Sequence, residues 1–159
     1  MGNAGTPLER LRALGLELPE PPAPRGWYVP VMRTGTLAFV SGQLPIRGGK
    51  VALTGALGGG ISVEEGREAA RLCMLNVLTA LQGNGVSLES VRRVVKVTGF
   101  VRSSPDFGDQ PLVLNAASEL LTDIFGEAGR HARAAVGVAA LPLGAAVEIE
   151  AIFEVGESK

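Results

Sequence analysis

Ser62 and Glu65 are spaced as a capping box, a short hydroxyl at the N-cap with a carboxylate three residues on. They open a helix that the apolar run RLCMLNVL carries through about Leu81, where NGVSLES breaks it. A helix this apolar must be covered by other parts of the chain, so the rest of the sequence has to supply a layer to cover it. Thr6 and Glu9 make a second box, with Pro7 in the first turn and Gly15 as a stop, and predict a short leading helix.

The covering layer is legible as β runs. WYVPVM and TLAFVSG predict two strands around an RTG hairpin turn, and KVALTG a third, weaker strand. VRRVVKVTGFV predicts a long strand, its basic half VRRVVK (91–96) reading as a sheet edge with solvated charges. PLVLNAASELLTDIFG predicts a helix with Leu112, Ala116, Leu120 and Ile124 at spacing four and Gly126 as its stop. HARAAVGVAALP and AAVEIEAIFEV close the chain as two strands around LPLG. The order α, β-β-β, α, β, α, β-β predicts an α+β fold with long helices packed on one face of the sheet. ELPEPPAPRG (17–26) reads as an extended surface connector. GALGGG lacks both the phosphate-loop lysine and the G-x-G-x-x-G spacing, and reads as a flexible connector.

Composition excludes several functions. The 159 residues suit one domain, and 46% hydrophobic against 19% charged residues points to surface covered by another subunit. A net charge of −1 offers no basic excess for nucleic acid. The single cysteine, Cys73, lies in the apolar helix and reads as a core residue, leaving no internal disulfide. With one histidine, His131, a zinc site of several imidazoles is not expected, and no G-x-S-x-G surrounds a serine. Neither a signal peptide nor a membrane-spanning run is evident, which predicts a cytoplasmic protein. MGNAGT fits a myristoylation pattern but has no basic cluster beside it, and helix capping explains Thr6 better.

One residue demands a partner. Strand alternation puts Arg133, Ala135 and Gly137 on one face of an otherwise small and apolar stretch that contains no acid. Arginine keeps its charge, so burial there calls for an anion.

YVPVMRTGTLAFVSGQLP, VRRVVKVTGFV and HARAAVGVAALPLGAAVEIEAI together resemble the Rid superfamily, also called YjgF, whose members are often labelled L-PSP endoribonucleases. The sharpest part is R-x-x-V-x-V-x-x-L-P followed by V-E-I-E-A-I, and the resemblance spans about residues 26 to 155. It divides the chain into a leading helix and connector (1–25) and a single Rid/YjgF-like domain (26–159). It implies a chorismate-mutase-like α+β fold, a mixed sheet with two long helices on one face, a homotrimer, and ligand pockets between subunits. Its deaminase members hydrolyse reactive enamines and imines such as 2-aminoacrylate to a 2-keto acid and ammonia, with no metal or organic cofactor.

The resemblance also assigns roles. Arg133 takes the position of the arginine that binds the substrate carboxylate, which a planar guanidinium grips bidentately, and Ala135 leaves room beside it. Glu148, the first acid of VEIE, matches the group that delivers water and moves a proton. Tyr28 would orient ligand, with Ser41 and the Gly42 amide nearby, and Asn115 would point in from a helix. Each has a plainer alternative: an ion pair for Arg133, a solvated strand charge for Glu148, a half-buried anchor for Tyr28, a small strand residue for Ser41, a loop tie for Asn115. Ala134, Ala135 and Gly137 depart from the residues common in deaminase members, and His131 stands where proline is usual. His131 is either an extra acid–base group at the pocket mouth or a loop histidine with no role.

Three functions therefore compete: an imine/enamine deaminase, a non-catalytic trimeric binder of small carboxylates, and a ribonuclease. A pI near 5.9 and 4% aromatic residues disfavour the last. If the last two strands pair as a hairpin closing near Leu143–Gly144, Glu148 faces Ala139, roughly 20 Å along the strand from Arg133. The two groups would then serve one small ligand only from neighbouring subunits, or the strands do not form a simple hairpin.

Overall fold

A computed structural model describes residues 5–23 and 26–156 of the chain. The MGNA of the lipidation pattern and residues 24–25 of the connector lie outside the described residues. Both capping boxes close. The Thr6 amide donates to the Glu9 carboxylate at 2.7 Å at the head of α1 (Pro7–Ala13), and the Ser62 amide to that of Glu65 at 2.8 Å at the head of α2 (Val63–Gly83). The third helix, α3 (Gln110–Phe125), stops at Gly126, whose φ of 63° suits glycine. Ala116, Leu120 and Ile124 face the core as expected, but Leu112 is 48% exposed. Its neighbour Val113 is buried in its place, because the core-facing side of the first turn runs through Val113 and Ala117.

The strands are β1 (Val31–Thr34), β2 (Leu37–Gln43), β3 (Ile46–Arg47), β4 (Lys50–Val51), β5 (Val91–Arg102), β6 (Ala132–Val138) and β7 (Val147–Val155). Five of them form a mixed sheet in the order β1-β2-β7-β5-β6, antiparallel except for the parallel β5–β6 pair. The fold is α+β, with α2 and α3 together on one face of this sheet. Three expectations need correction. The first strand starts at Val31 rather than Trp27: Pro30 has no amide to give a ladder, and only its carbonyl pairs, accepting from the Ser41 amide at 2.9 Å. KVALTG supplies only β4, which pairs with β3 in a separate two-stranded ribbon. GALGGG is a pinned turn: Leu57 is fully buried, its amide donates to the Arg102 carbonyl at 2.8 Å, and its carbonyl accepts from the Ser104 amide at 2.9 Å. VRRVVK is an open edge on one side, as expected: β7 pairs along the other side of β5, β6 joins only from Lys96 onward, and Arg92 and Arg93 are exposed.

Of the two arrangements left open for the last strands, the simple hairpin does not form. β5 lies between β6 and β7, so Arg133 sits beside Val97 on one side and Glu148 beside Phe100 on the other. The connection through residues 139–146 is short, yet it carries the chain past a whole strand. This arrangement decides the faces. Val97, Gly99 and Val101 of β5 and Val147, Ile149, Ala151 and Phe153 of β7 are buried on the helix side. Phe39, Lys96, Thr98, Phe100, Glu148, Glu150 and Ile152 lie on the opposite, helix-free side.

The leading segment is tied into this core. Leu11 is 2% exposed, Arg10 Nη1 donates to the Ile124 carbonyl at 3.0 Å, and the Thr79 hydroxyl donates to the Pro19 carbonyl at 3.0 Å. Among the described residues no helix is long and apolar enough to cross a membrane, and no group of three or more His, Cys, Asp or Glu could hold a metal ion.

At Gly99 α3 packs directly on the sheet: a Cβ there would collide with Cδ1 and Cγ of the buried Leu114. Gly99→Ala is therefore expected to lever α3 away and cost about 1–3 kcal/mol. Thermal melting should show it as a drop of several degrees, about 2–4 °C per kcal/mol at this chain length.

Candidate functional site

The residues singled out by the sequence gather into two groups. The first is built on β6 and α3. Arg133 is half-buried on the helix side of the edge strand β6, where it reaches the polar side of α3. Its Nη1 donates to Asn115 Oδ1 at 2.9 Å and to Ser118 Oγ at 3.1 Å, and its Nη2 makes a long contact of 3.5 Å with the Pro111 carbonyl. All three acceptors are neutral. Among the described residues no carboxylate pairs with Arg133, so the chain itself supplies no ion pair for it. The nearby acid Glu119 instead pairs with Arg67 at 2.8 Å. Asn115 ties the arginine, not a loop.

Ala135 follows Arg133 on the same face, opposite Gly99, and keeps that side of the strand low. His131 belongs to this group too. Its Nδ1 lies 2.6 Å from the Gly129 carbonyl and its Nε2 lies 2.9 Å from Ser118 Oγ. Ser118 was not singled out in the sequence. The signal was present, since Asn115 and Ser118 are three apart and therefore neighbours on one helix surface; its use depended on knowing that β6 lies beneath them.

The second group lies on the helix-free face. Glu148 of β7 is half-buried beside Gly42 of β2, so close that a Cβ on Gly42 would stand 2.9 Å from Glu148 Oε1. The approach is made by a bulge: between Val40 and Gln43 β2 carries one residue more than β7, which places Ser41 and Gly42 together opposite Glu150. Burial first, and then the like charge of Glu150, push the Glu148 carboxyl above its ordinary range. It is thus not simply a solvated strand charge. The Ser41 hydroxyl donates to the Val29 carbonyl at 2.8 Å, which fixes the segment leading into β1 and leaves only the oxygen lone pairs for a ligand. Tyr28 is 61% exposed in that segment, outside any strand, and is not the half-buried anchor of the plainer reading.

The two groups do not meet within the chain. From Val97 to Phe100 is three residues along β5, about 10 Å, and β6 and β7 are two strand spacings apart, about 9–10 Å. Arg133 and Glu148 also point to opposite faces. Each group has a charged member with no opposite charge beside it among the described residues: a guanidinium held by neutral acceptors, and a carboxyl crowded by another acid.

A family model described as YjgF/chorismate-mutase-like, and carrying an endoribonuclease label, matches residues 8–154. The chain is 47% identical to Protein TCP17 of Trypanosoma cruzi over 152 residues, which cover 95% of each. It is 31% identical to a 2-iminobutanoate/2-iminopropanoate deaminase of Dermatophagoides farinae over 137 residues, 86% of this chain and 92% of that one. Among solved structures it is similar to the protein Atu1372, of unknown function, from Agrobacterium tumefaciens, with a TM-score of 0.87 and 45% identity over 95% of this chain and 94% of that one.

Proposed function

This chain belongs to the YjgF/chorismate-mutase-like family, the Rid superfamily, and from that membership we propose that it is a cytoplasmic homotrimer that hydrolyses small reactive imines and enamines in pockets between its subunits. The observation that carries the reading is the division of the site. Arg133 with Asn115 stands on one side of the sheet and Glu148 with Gly42 and Ser41 on the other. One chain cannot close both around a small keto acid. Two neighbouring chains can, one offering its α3 side and the other its open sheet face.

The open face has the character of a covered surface. Met32, Phe39 and Val136 are exposed there, with Ile152 partly so, around Lys96, Thr98 and Glu150. Burying such apolar groups favours association by about 25 cal/mol per Å². Light scattering at micromolar protein is expected to give three times the 16.4 kDa chain mass; a clean monomer would leave each half of the site without its complement.

The chemistry follows from the charges. Arg133 holds the carboxylate of a 2-imino acid, leaving the imine carbon towards the neighbouring Glu148. Glu148 takes a proton from water as the water oxygen bonds to the carbon of the protonated imine and the C=N π pair moves to nitrogen, and it then gives that proton to the carbinolamine nitrogen. As the C–N bond breaks, the hydroxyl gives its proton to Glu148, leaving the 2-keto acid, and Glu148 passes that proton to the departing ammonia, which returns the carboxylate to its start. A carboxyl raised by burial suits both directions of transfer better than an ordinary one. Enamines enter the same path after protonation at carbon.

A coupled assay tests this. An amino-acid oxidase or dehydratase generates 2-aminoacrylate or a bulkier imine, and the protein is expected to accelerate release of the keto acid. Uptake of short carboxylates without acceleration on several imines would instead make it a non-catalytic binder.

A further inference from the structure

The hydrogen bonds around Arg133 have a fixed direction. The Gly129 carbonyl can only accept, so His131 Nδ1, at 2.6 Å, carries the imidazole hydrogen. In the neutral ring Nε2 is then a bare lone pair and accepts from the Ser118 hydroxyl at 2.9 Å. That places the Ser118 hydrogen on the histidine side and turns an oxygen lone pair towards Arg133, whose Nη1 donates to it at 3.1 Å. The start of the chain is fixed by packing: a Cβ on Gly129 would collide with the Leu121 carbonyl, and Thr122 Cα would be 2.9 Å away, so Gly129 is held against the backbone of α3.

Both hydrogens of Nη1 are consequently committed, one to Ser118 and one to Asn115. Nη2 spends one of its two hydrogens on the long contact with the Pro111 carbonyl at 3.5 Å, so what remains for an anion is Nε with the other hydrogen of Nη2, a side-on pair whose spacing matches the two oxygens of a carboxylate.

We infer that Ser118 and His131 are positioning residues for Arg133: with the Gly129 carbonyl they form a one-directional relay that engages Nη1 and presents the Nε–Nη2 edge to the substrate carboxylate. The inference rests on the proposed role of Arg133 and adds two residues and an orientation to it. It also resolves the two readings of His131, which works through Ser118 rather than on the substrate. Ser118→Ala removes one acceptor, leaving Nη1 free to rotate towards other partners. His131→Leu removes the lone pair that orders the Ser118 hydroxyl, so that its hydrogen competes for the space facing Arg133. His131→Gln offers an amide oxygen that can accept from Ser118 in the same direction.

The test is calorimetric titration of the full-length protein with pyruvate and 2-oxobutanoate, beside steady-state kinetics on the imine. Ser118→Ala and His131→Leu are each expected to weaken keto-acid binding about tenfold and raise KM with kcat little changed. His131→Gln should recover most of the loss. The double variant Ser118→Ala/His131→Leu should be no weaker than either single one, because the two act through one chain of bonds. Wild-type affinity in Ser118→Ala, multiplicative losses in the double variant, or no recovery with glutamine would each overturn the relay. The site reading is judged separately by Arg133→Ala in the same titration: if that variant binds like wild type, or wild type binds neither acid, the carboxylate clamp is wrong and the relay loses its purpose with it. Melting temperatures near wild type for the single variants confirm that the losses are local.

Discussion

Turnover in Glu148→Gln is expected to fall about 10²–10⁴-fold, the span that a positioned proton carrier typically contributes. Glutamine keeps the shape beside Gly42 and can hold a water, but it cannot take that water's proton. The pH dependence gives a second check. Burial and Glu150 raise the Glu148 carboxyl, so the ionised form that acts as base appears only above the ordinary carboxylate range. The acid limb of kcat/KM should lie correspondingly high in wild type and be absent from the residual activity of the variant. Stability should move the other way. A carboxyl whose pKa is raised by folding favours the native state when protonated, and that contribution is lost as pH rises through the folded pKa. Glu148→Gln should therefore melt at or above the wild-type temperature at neutral pH while its turnover collapses. A variant that loses turnover and stability together would point to a structural carboxylate instead.

Arg133→Ala is expected to abolish measurable carboxylate uptake, and Arg133→Lys not to restore it. A charge-assisted contact of this kind is worth about 1.5–3 kcal/mol, more where the partner is left buried and unpaired. An ammonium supplies charge but no parallel pair of donors, and it cannot satisfy Asn115, Ser118 and a ligand in one plane. Combining the two variants tests the sharing of the site. When Arg133→Ala and Glu148→Gln chains are unfolded and refolded as an equimolar mixture, about a quarter of the pockets in random trimers join an intact Arg133 to an intact Glu148 of the neighbour. Activity on that scale is the expected result. With hetero-trimers demonstrated by mass, activity no higher than in the separate variants would reject the shared pocket.

Both variants depend on residues that differed in how far the sequence could place them. Helix starts were the most legible feature, because a capping box is a local bond between residues three apart: Thr6 with Glu9, and Ser62 with Glu65. The long strand around VRRVVKVTGFV and the two final strands were legible for a similar reason, since alternation is written in consecutive residues. Tyr28 was misplaced because WYVPVM looks apolar enough for a strand, whereas Pro30 leaves that strand without a donor. Leu112 was misplaced because a spacing of four fits several neighbouring stripes, and only the position of the sheet selects the one through Val113.

The sequence by itself determined that Arg133, Ala135 and Gly137 share one side of their strand, and that Glu148, Glu150 and Glu154 share one side of theirs. A period of two fixes parity within a strand and needs nothing else. It leaves the relation between two strands open, because that parity is set by register against a common neighbour. Here the neighbour is β5, whose Val97 pairs with Arg133 from 36 residues upstream (133 − 97), and no local signal in LPLG announces that it separates the last two strands. Only the tertiary structure decided that Val97 faces the helices with Arg133 while Phe100 faces away with Glu148. Long-range pairing is chosen by which buried faces the whole sheet can cover at once, and it is this choice that put the two charged groups on opposite sides of one chain.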